Sequence, residues 1–176
     1  MKVSEQQENK DGRAMILILD SSDISLYYAV AHAFNGDYDK VIQLLKDSVD
    51  TSTKPQMEKF LMYHYIKMND HRMALAIGLD IDAHCIAQNN AKEGYANRVF
   101  MAMSLYELEA YEEAISVMED AALDETTARD YGYLIYCYVS ASYRKLGENE
   151  KADDCLKSAM EMDTKAEEYI NSLLAD

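Results

Sequence analysis

The densest group of chemistry-bearing side chains is the run Asp80-Ile81-Asp82-Ala83-His84. On a helix Asp80 and His84 lie one turn apart, close enough to share a metal ion or, more simply, to form a solvated ion pair. None of the four histidines, His32, His64, His71 and His84, has a second histidine three or four residues away, so no metal-binding face is preset. The acid pairs Glu112-Glu113, Asp153-Asp154 and Glu167-Glu168 are adjacent in sequence. Adjacent residues on a helix point about 100° apart, which makes solvated faces rather than acid–base dyads. Cys85, Cys137 and Cys155 are far apart and in no C-x-x-C pair, an arrangement that suits a reducing compartment better than a disulfide framework or a zinc ribbon. Six scattered glycines form no phosphate cradle and no nucleophile elbow. The expectation is therefore a chain with no catalytic residue, no bound metal and no cofactor.

The elements that carry these residues are helical. One proline in 176 residues, with many alanines, leucines and methionines, favours helix throughout. The length suits one domain with a substantial core. Acidic residues outnumber basic ones 32 to 17, for a formal charge of −15. Such a surface repels phosphate backbones and anionic headgroups, so neither nucleic acid nor membrane is an expected partner. It would draw in basic segments, or it serves only to keep the chain soluble. The polar start, MKVSEQQENKDGR, is no signal sequence, and the apolar run Met15 to Leu19 is too short to span a bilayer. A cytoplasmic location is expected. Residues 1–12 read as a disordered polar tail. Met15–Leu19 reads as a short packing helix, with a locally extended segment as the alternative.

The run Asn35-Gly36-Asp37-Tyr38-Asp39-Lys40-Val41 returns, altered, three times. The copies are Asn69-Asp70-His71-Arg72-Met73-Ala74, Glu109-Ala110-Tyr111-Glu112-Glu113-Ala114 and Gly147-Glu148-Asn149-Glu150-Lys151-Ala152. Each follows an aromatic-rich apolar stretch and opens a second stretch ending in small or apolar residues. A turn signature at a period of 33 to 40 residues marks a helical-hairpin repeat. These links, with small residues at helix crossings (Ala29, Ala102 and Ser140; Ala74, Ala114 and Ala152), resemble the tetratricopeptide repeat (TPR) family.

That resemblance implies an all-α, right-handed α-solenoid of helix-turn-helix repeats, with repeats near 22–54, 55–94, 95–132 and 133–163 in a single domain over 13–176. The two longer junctions, Leu79 to Gly94 and Asp124 to Gly132, contain no proline and predict lengthened helices with short connections. Ala166, Tyr169, Ile170, Leu173 and Leu174 follow the spacing of one apolar helix face. A helix over 164–175 would thus cap the last repeat, since a terminal repeat otherwise exposes its packing face; a tail that recruits a partner is the alternative.

In such arrays the first helices line a concave groove. The resemblance places Val30 and Phe34 there, then Lys59, Tyr63, Ile66 and Lys67, then Val99, Met103 and Tyr106, then Leu134, Arg144 and Lys145. Large apolar groups and tyrosines with a few cations suit an extended or helical peptide of some acidic character. The carboxylate clamp of the chaperone-tail-binding subgroup is absent, because Tyr63 stands where an asparagine is needed and Phe100 fills another such slot. The stretch from Tyr131 to Tyr143 is apolar all round, so Tyr133 and Tyr138 are expected at a contact with a partner or within a homodimer. The functional expectation is a non-enzymatic module that binds a protein or peptide partner. Alternatives are a small acidic secretion-type chaperone, a peptide-sensing regulator, or a structural subunit that associates through its convex face or ends.

Overall fold

An alanine- and leucine-rich chain with a single proline should be helical, and the computed structural model of the protein bears this out. It describes residues 3–8, 14–19, 32, 40, 43–44 and 54–175. Its helices are α1 (Lys54–Lys67), α2 (His71–Ala87), α3 (Ala91–Glu107), α4 (Tyr111–Ala121), α5 (Glu125–Lys145), α6 (Asn149–Met162) and α7 (Ala166–Ala175). His32, Lys40, Gln43 and Leu44 are also helical. Most of the first repeat, with Val30 and Phe34, lies outside the described residues.

The lengthened junctions are helix: α2 and α5 run through them, and the chain then turns in three residues. Four of the links share one geometry. Asn69, Asn89, Glu109 and Gly147 each sit two residues past a helix end with φ between 54° and 79°. The next residue donates its N–H back to a carbonyl five positions earlier: Asp70 to Tyr65, Asn90 to Cys85, Ala110 to Leu105 and Glu148 to Tyr143, each at 2.9 Å. This left-handed close satisfies carbonyls that a helix end would otherwise leave unpaired. Three of the four are the links read from sequence; the fourth, Asn89-Asn90, was not recognised there. It moves the start of the third repeat's first helix from Tyr95 to Ala91, and the fourth repeat's begins at Glu125 rather than near Tyr133.

The helix starts are capped where the sequence allows. Asp70 accepts from the Met73 amide at 3.2 Å, Asn90 from the Glu93 amide at 3.4 Å, and Asp124 from the Thr127 amide at 2.8 Å. Each satisfies one of the orphan donors of a first turn.

The chain divides into two compact units, Met1–His64 and Tyr65–Asp176. The first holds an antiparallel hairpin of β1 (Val3–Glu8) and β2 (Ala14–Leu19), registered from Val3 opposite Leu19 to Glu8 opposite Ala14. This corrects the sequence reading on two counts: part of the polar tail is a strand, and Met15–Leu19 is its extended partner rather than a helix. A short apolar run has no periodicity that separates strand from buried helix, so the pairing partner decides. The first unit also contains most of α1, with Leu61 and Met62 buried.

In the second unit successive helices pack in order, α2 on α3, α3 on α4, α4 on α5 and α5 on α6, while α5 also packs on α3 and α7 packs on α5 and α6. Ala74, Ala102, Ala114, Ala152 and Ser140 are all buried, as the close crossings require. The Ser140 hydroxyl donates to the Ala152 carbonyl at 2.8 Å, fastening α5 to α6. Asn97, wholly buried, donates to the Gly78 carbonyl at 2.8 Å and does the same for α2 and α3. Arg98 on α3 reaches both neighbours, pairing with Asp82 on α2 at 3.0 Å and with Asp120 on α4.

Candidate functional site

The inner face of the second unit is formed by the first helices α3 and α5 with α7 beside them. Tyr106 on α3 stands edge-on to Tyr138 on α5, with ring centroids 5.3 Å apart at 88°. On its other side it meets Tyr111 at 5.5 Å. Its hydroxyl donates to the Leu173 carbonyl of α7 at 2.7 Å. Tyr169 of α7 lies 6.0 Å from Tyr133 and 6.4 Å from Tyr138. Offset and edge-to-face rings at these separations attract beyond the area they bury. The aromatic wall is therefore filled from within the chain, and Tyr106 is only 4% exposed.

Burial governs the electrostatics of this cluster. It pushes the Tyr138 hydroxyl far above the ordinary phenol range, with neighbouring Tyr169 adding to the effect. Burial, then Cys137, raises Tyr133 to about 12. Cys137, buried in the same layer, is pushed up to about 11, again chiefly by burial. None of these groups is poised to exchange protons near neutral pH.

The residues assigned to the groove from sequence thus separate into classes. Val99 and Tyr106 are core residues. Tyr133 is half-buried and Tyr138 buried, and both lie against Tyr169 of α7. Met103 and Leu134 are half-buried. Arg144 is turned toward α6, where it donates to Asp153 at 2.9 Å. Lys145 is exposed. On α1, Tyr63 is 50% exposed, with Lys67 exposed one turn after it and Lys59 half-buried one turn before. Ile66 is half-buried.

Sequence reasoning missed the ends of this arrangement: Tyr169 and Leu173 were assigned to a capping face, without the tyrosines they would cover. It also missed the Arg98 junction. Arg98 borders a cavity of about 190 Å³ between α2 and α3, together with Asp82, Cys85 and Tyr95. The guanidinium is held by two carboxylates and lies 5.3 Å from the Tyr95 ring centroid, so it joins helices rather than presenting an open anion site. Asp80 is exposed and His84 half-buried. Among the described residues no group of three or more histidine, cysteine, aspartate or glutamate side chains is placed to hold a metal ion. Among them, too, no helix is long and apolar enough to cross a membrane.

No protein-family model matches the sequence, and no curated protein matches it. Solved structures do resemble the fold. A MamA AMB-1 structure superposes with a TM-score of 0.63 at 21% identity, over 82% of this chain and 74% of that one. MamA MSR-1 gives 0.61 at 20% identity, over 84% and 79%. TTC0263, a thermophilic TPR protein of Thermus thermophilus, gives 0.53 at 23% identity, over 88% and 80%. The likeness is one of fold: a TPR-like helical-repeat solenoid, as the repeated links imply.

Proposed function

We propose that the chain is a non-enzymatic interaction module that holds a peptide or helical segment of a partner protein along α1, through Lys59, Tyr63, Ile66 and Lys67. A TPR-like solenoid supports a protein-interaction scaffold in general. The observation that carries the narrower reading is the exposure of Tyr63 between two lysines at helical spacing, while Tyr106 and Tyr138 of the second unit are buried. An aromatic anchor flanked by cations suits a segment with an apolar residue and acidic neighbours. Cys85, Cys137 and Cys155 are all free thiols, which fits a reducing compartment such as the cytoplasm.

A second reading, a structural subunit that associates by its outer surface, is favoured by Leu79 and Ile86. They are seven residues apart on one face of α2 and 55% and 67% exposed.

Affinity capture from the source organism, followed by direct binding of each purified partner, separates the two. The Tyr63→Glu/Lys67→Glu variant should lose a partner that Tyr106→Phe keeps. Retention of every partner by the α1 variant would sink the α1 reading, and loss through Leu79→Glu/Ile86→Glu instead would establish the outer surface.

A further inference from the structure

The second helices of the last two hairpins, α4 and α6, do not pack on each other. No Cα of one comes within 8 Å of the other, although both pack on α5. Packed helices normally run with axes 8–10 Å apart, bringing some of their backbones closer than that. A cleft of about 330 Å³ lies between them. Its floor is a face of α5, Ala128, Gly132, Ile135 and Val139 with Tyr136 beside them, and Glu119 and Met162 stand at its sides. The floor is apolar and, at its near end, made of small residues. A Cβ at Gly132 would come within 3.1 Å of the Met162 methyl, so side chains already fit closely at that end. Met162 is nevertheless 55% exposed, and Leu123, just past the end of α4, is 73% exposed.

The edges of the cleft are predominantly acidic. Glu112 and Glu119 are seven residues apart on α4, and Asp154 and Glu161 seven apart on α6, so each pair shares a face. All four are exposed. Two further observations place the charge at the cleft itself. The Tyr143 hydroxyl lies 3.5 Å from a Glu119 oxygen, and the Cys155 thiol in the cleft wall is raised by burial first, then by Asp154 and Glu119. The cation on the Cys155 side of α6, Lys151, is paired with Glu148 and lies over the Tyr143 ring.

We propose that this cleft is a docking site for a basic amphipathic helix of a partner protein. Its apolar face rests on the Ala128–Val139 stripe, and its lysines and arginines meet the carboxylates of both edges. The shape favours a helix, because two helices standing apart over a small-residue floor leave room for a third to complete the layer. The charge selects a cationic partner, and on a chain of net charge −15 it also speeds the encounter. The surface, its elements and the chemistry of its ligand all differ from those proposed for α1.

The test is fluorescence anisotropy with a labelled leucine–lysine amphipathic peptide of about 18 residues, long enough to be helical when bound. The matched leucine–glutamate peptide is the control. The wild-type chain should bind the lysine peptide, more weakly as salt rises, and ignore the glutamate peptide. Glu119→Lys/Glu161→Lys, which alters only exposed side chains, should weaken binding at least about tenfold. Ala128→Phe, which fills the floor, should do the same, and Tyr63→Glu should change nothing. The proposal is overturned if wild type does not bind, if both peptides bind alike, or if the charge variant binds as wild type does. A loss confined to Tyr63→Glu would place the peptide on α1 instead.

Discussion

Tyr106 and Leu173, 67 residues apart in sequence, are joined by a 2.7 Å hydrogen bond from the phenol hydroxyl to the backbone carbonyl. The bond ties the end of α3 to α7 across Tyr138, and it holds both tyrosines in the protein's own core.

Tyr106→Phe keeps the ring contacts and removes only this bond. Chemical denaturation should show a loss of about 1 kcal/mol, the usual net worth of one hydrogen bond with a carbonyl left behind. Removal of residues from 164 onward should cost far more. It should also raise the fluorescence of a hydrophobic dye, because Tyr106, Tyr133 and Tyr138 lose their cover. An unchanged dye signal would mean that α7 does not seal the face.

Arg98 joins three helices through Asp82 and Asp120, with its side chain about a quarter exposed. Arg98→Ala leaves Asp82 partly buried without its partner and should destabilise the second unit by about 1–3 kcal/mol. Arg98→Lys should recover only part of this, since an ammonium cannot fork to two carboxylates as a guanidinium does. Equal stability of the lysine variant and wild type in urea melts would reduce the junction to a simple charge effect.

The four left-handed turns are occupied by two asparagines, a glutamate and a glycine. Glutamate tolerates that conformation poorly, so Glu109→Gly should stabilise the chain by about 1 kcal/mol. Gly147→Ala should cost about the same. A Cβ there meets nothing within 4 Å, so its penalty is one of backbone conformation alone. Thermal melts of the two variants should shift in opposite directions.

Cys137 and Tyr133 are held near 11 and 12 by burial, above the ordinary thiol and phenol values of about 8.5 and 10. A group whose folded pKa is raised stabilises the fold fully below its unfolded pKa, and that contribution disappears as pH rises through the folded value. Stability should therefore decline between about pH 9 and 12. Cys137 should resist alkylation at pH 8, whereas the half-buried Cys155 reacts first. Rapid labelling of Cys137 in the native protein would contradict the packing of α5 against α7.

The sequence made the repeat frame readable because links and small crossing residues are local. Asn69-Asp70, Glu109-Ala110 and Gly147-Glu148, with Ala74, Ala114 and Ala152 following, mark where helices turn and cross. Asn89-Asn90 carries the same signal, but it lay inside a stretch taken as one long junction. What was not readable is which surface remains open. The spacing of Tyr106 places it correctly on the inner side of α3, but its exposure depends on Leu173 and Tyr169, and no periodicity within α3 contains them. Val99 is the same case: being on the right face of a helix does not say whether another element covers that face. The hairpin of β1 and β2 was hidden for a related reason, since a polar strand such as Val3–Glu8 acquires its structure from the segment it pairs with.

A helical-hairpin array is in principle an open polymer, in which each unit offers the next a surface on which to stack. Here α7 acts as a chain terminator for that polymer. It occupies the position of the next first helix, and it turns Glu167, Glu168 and Asn171 outward to water. A further hairpin brought up to this pole would meet that polar face in place of an apolar packing surface.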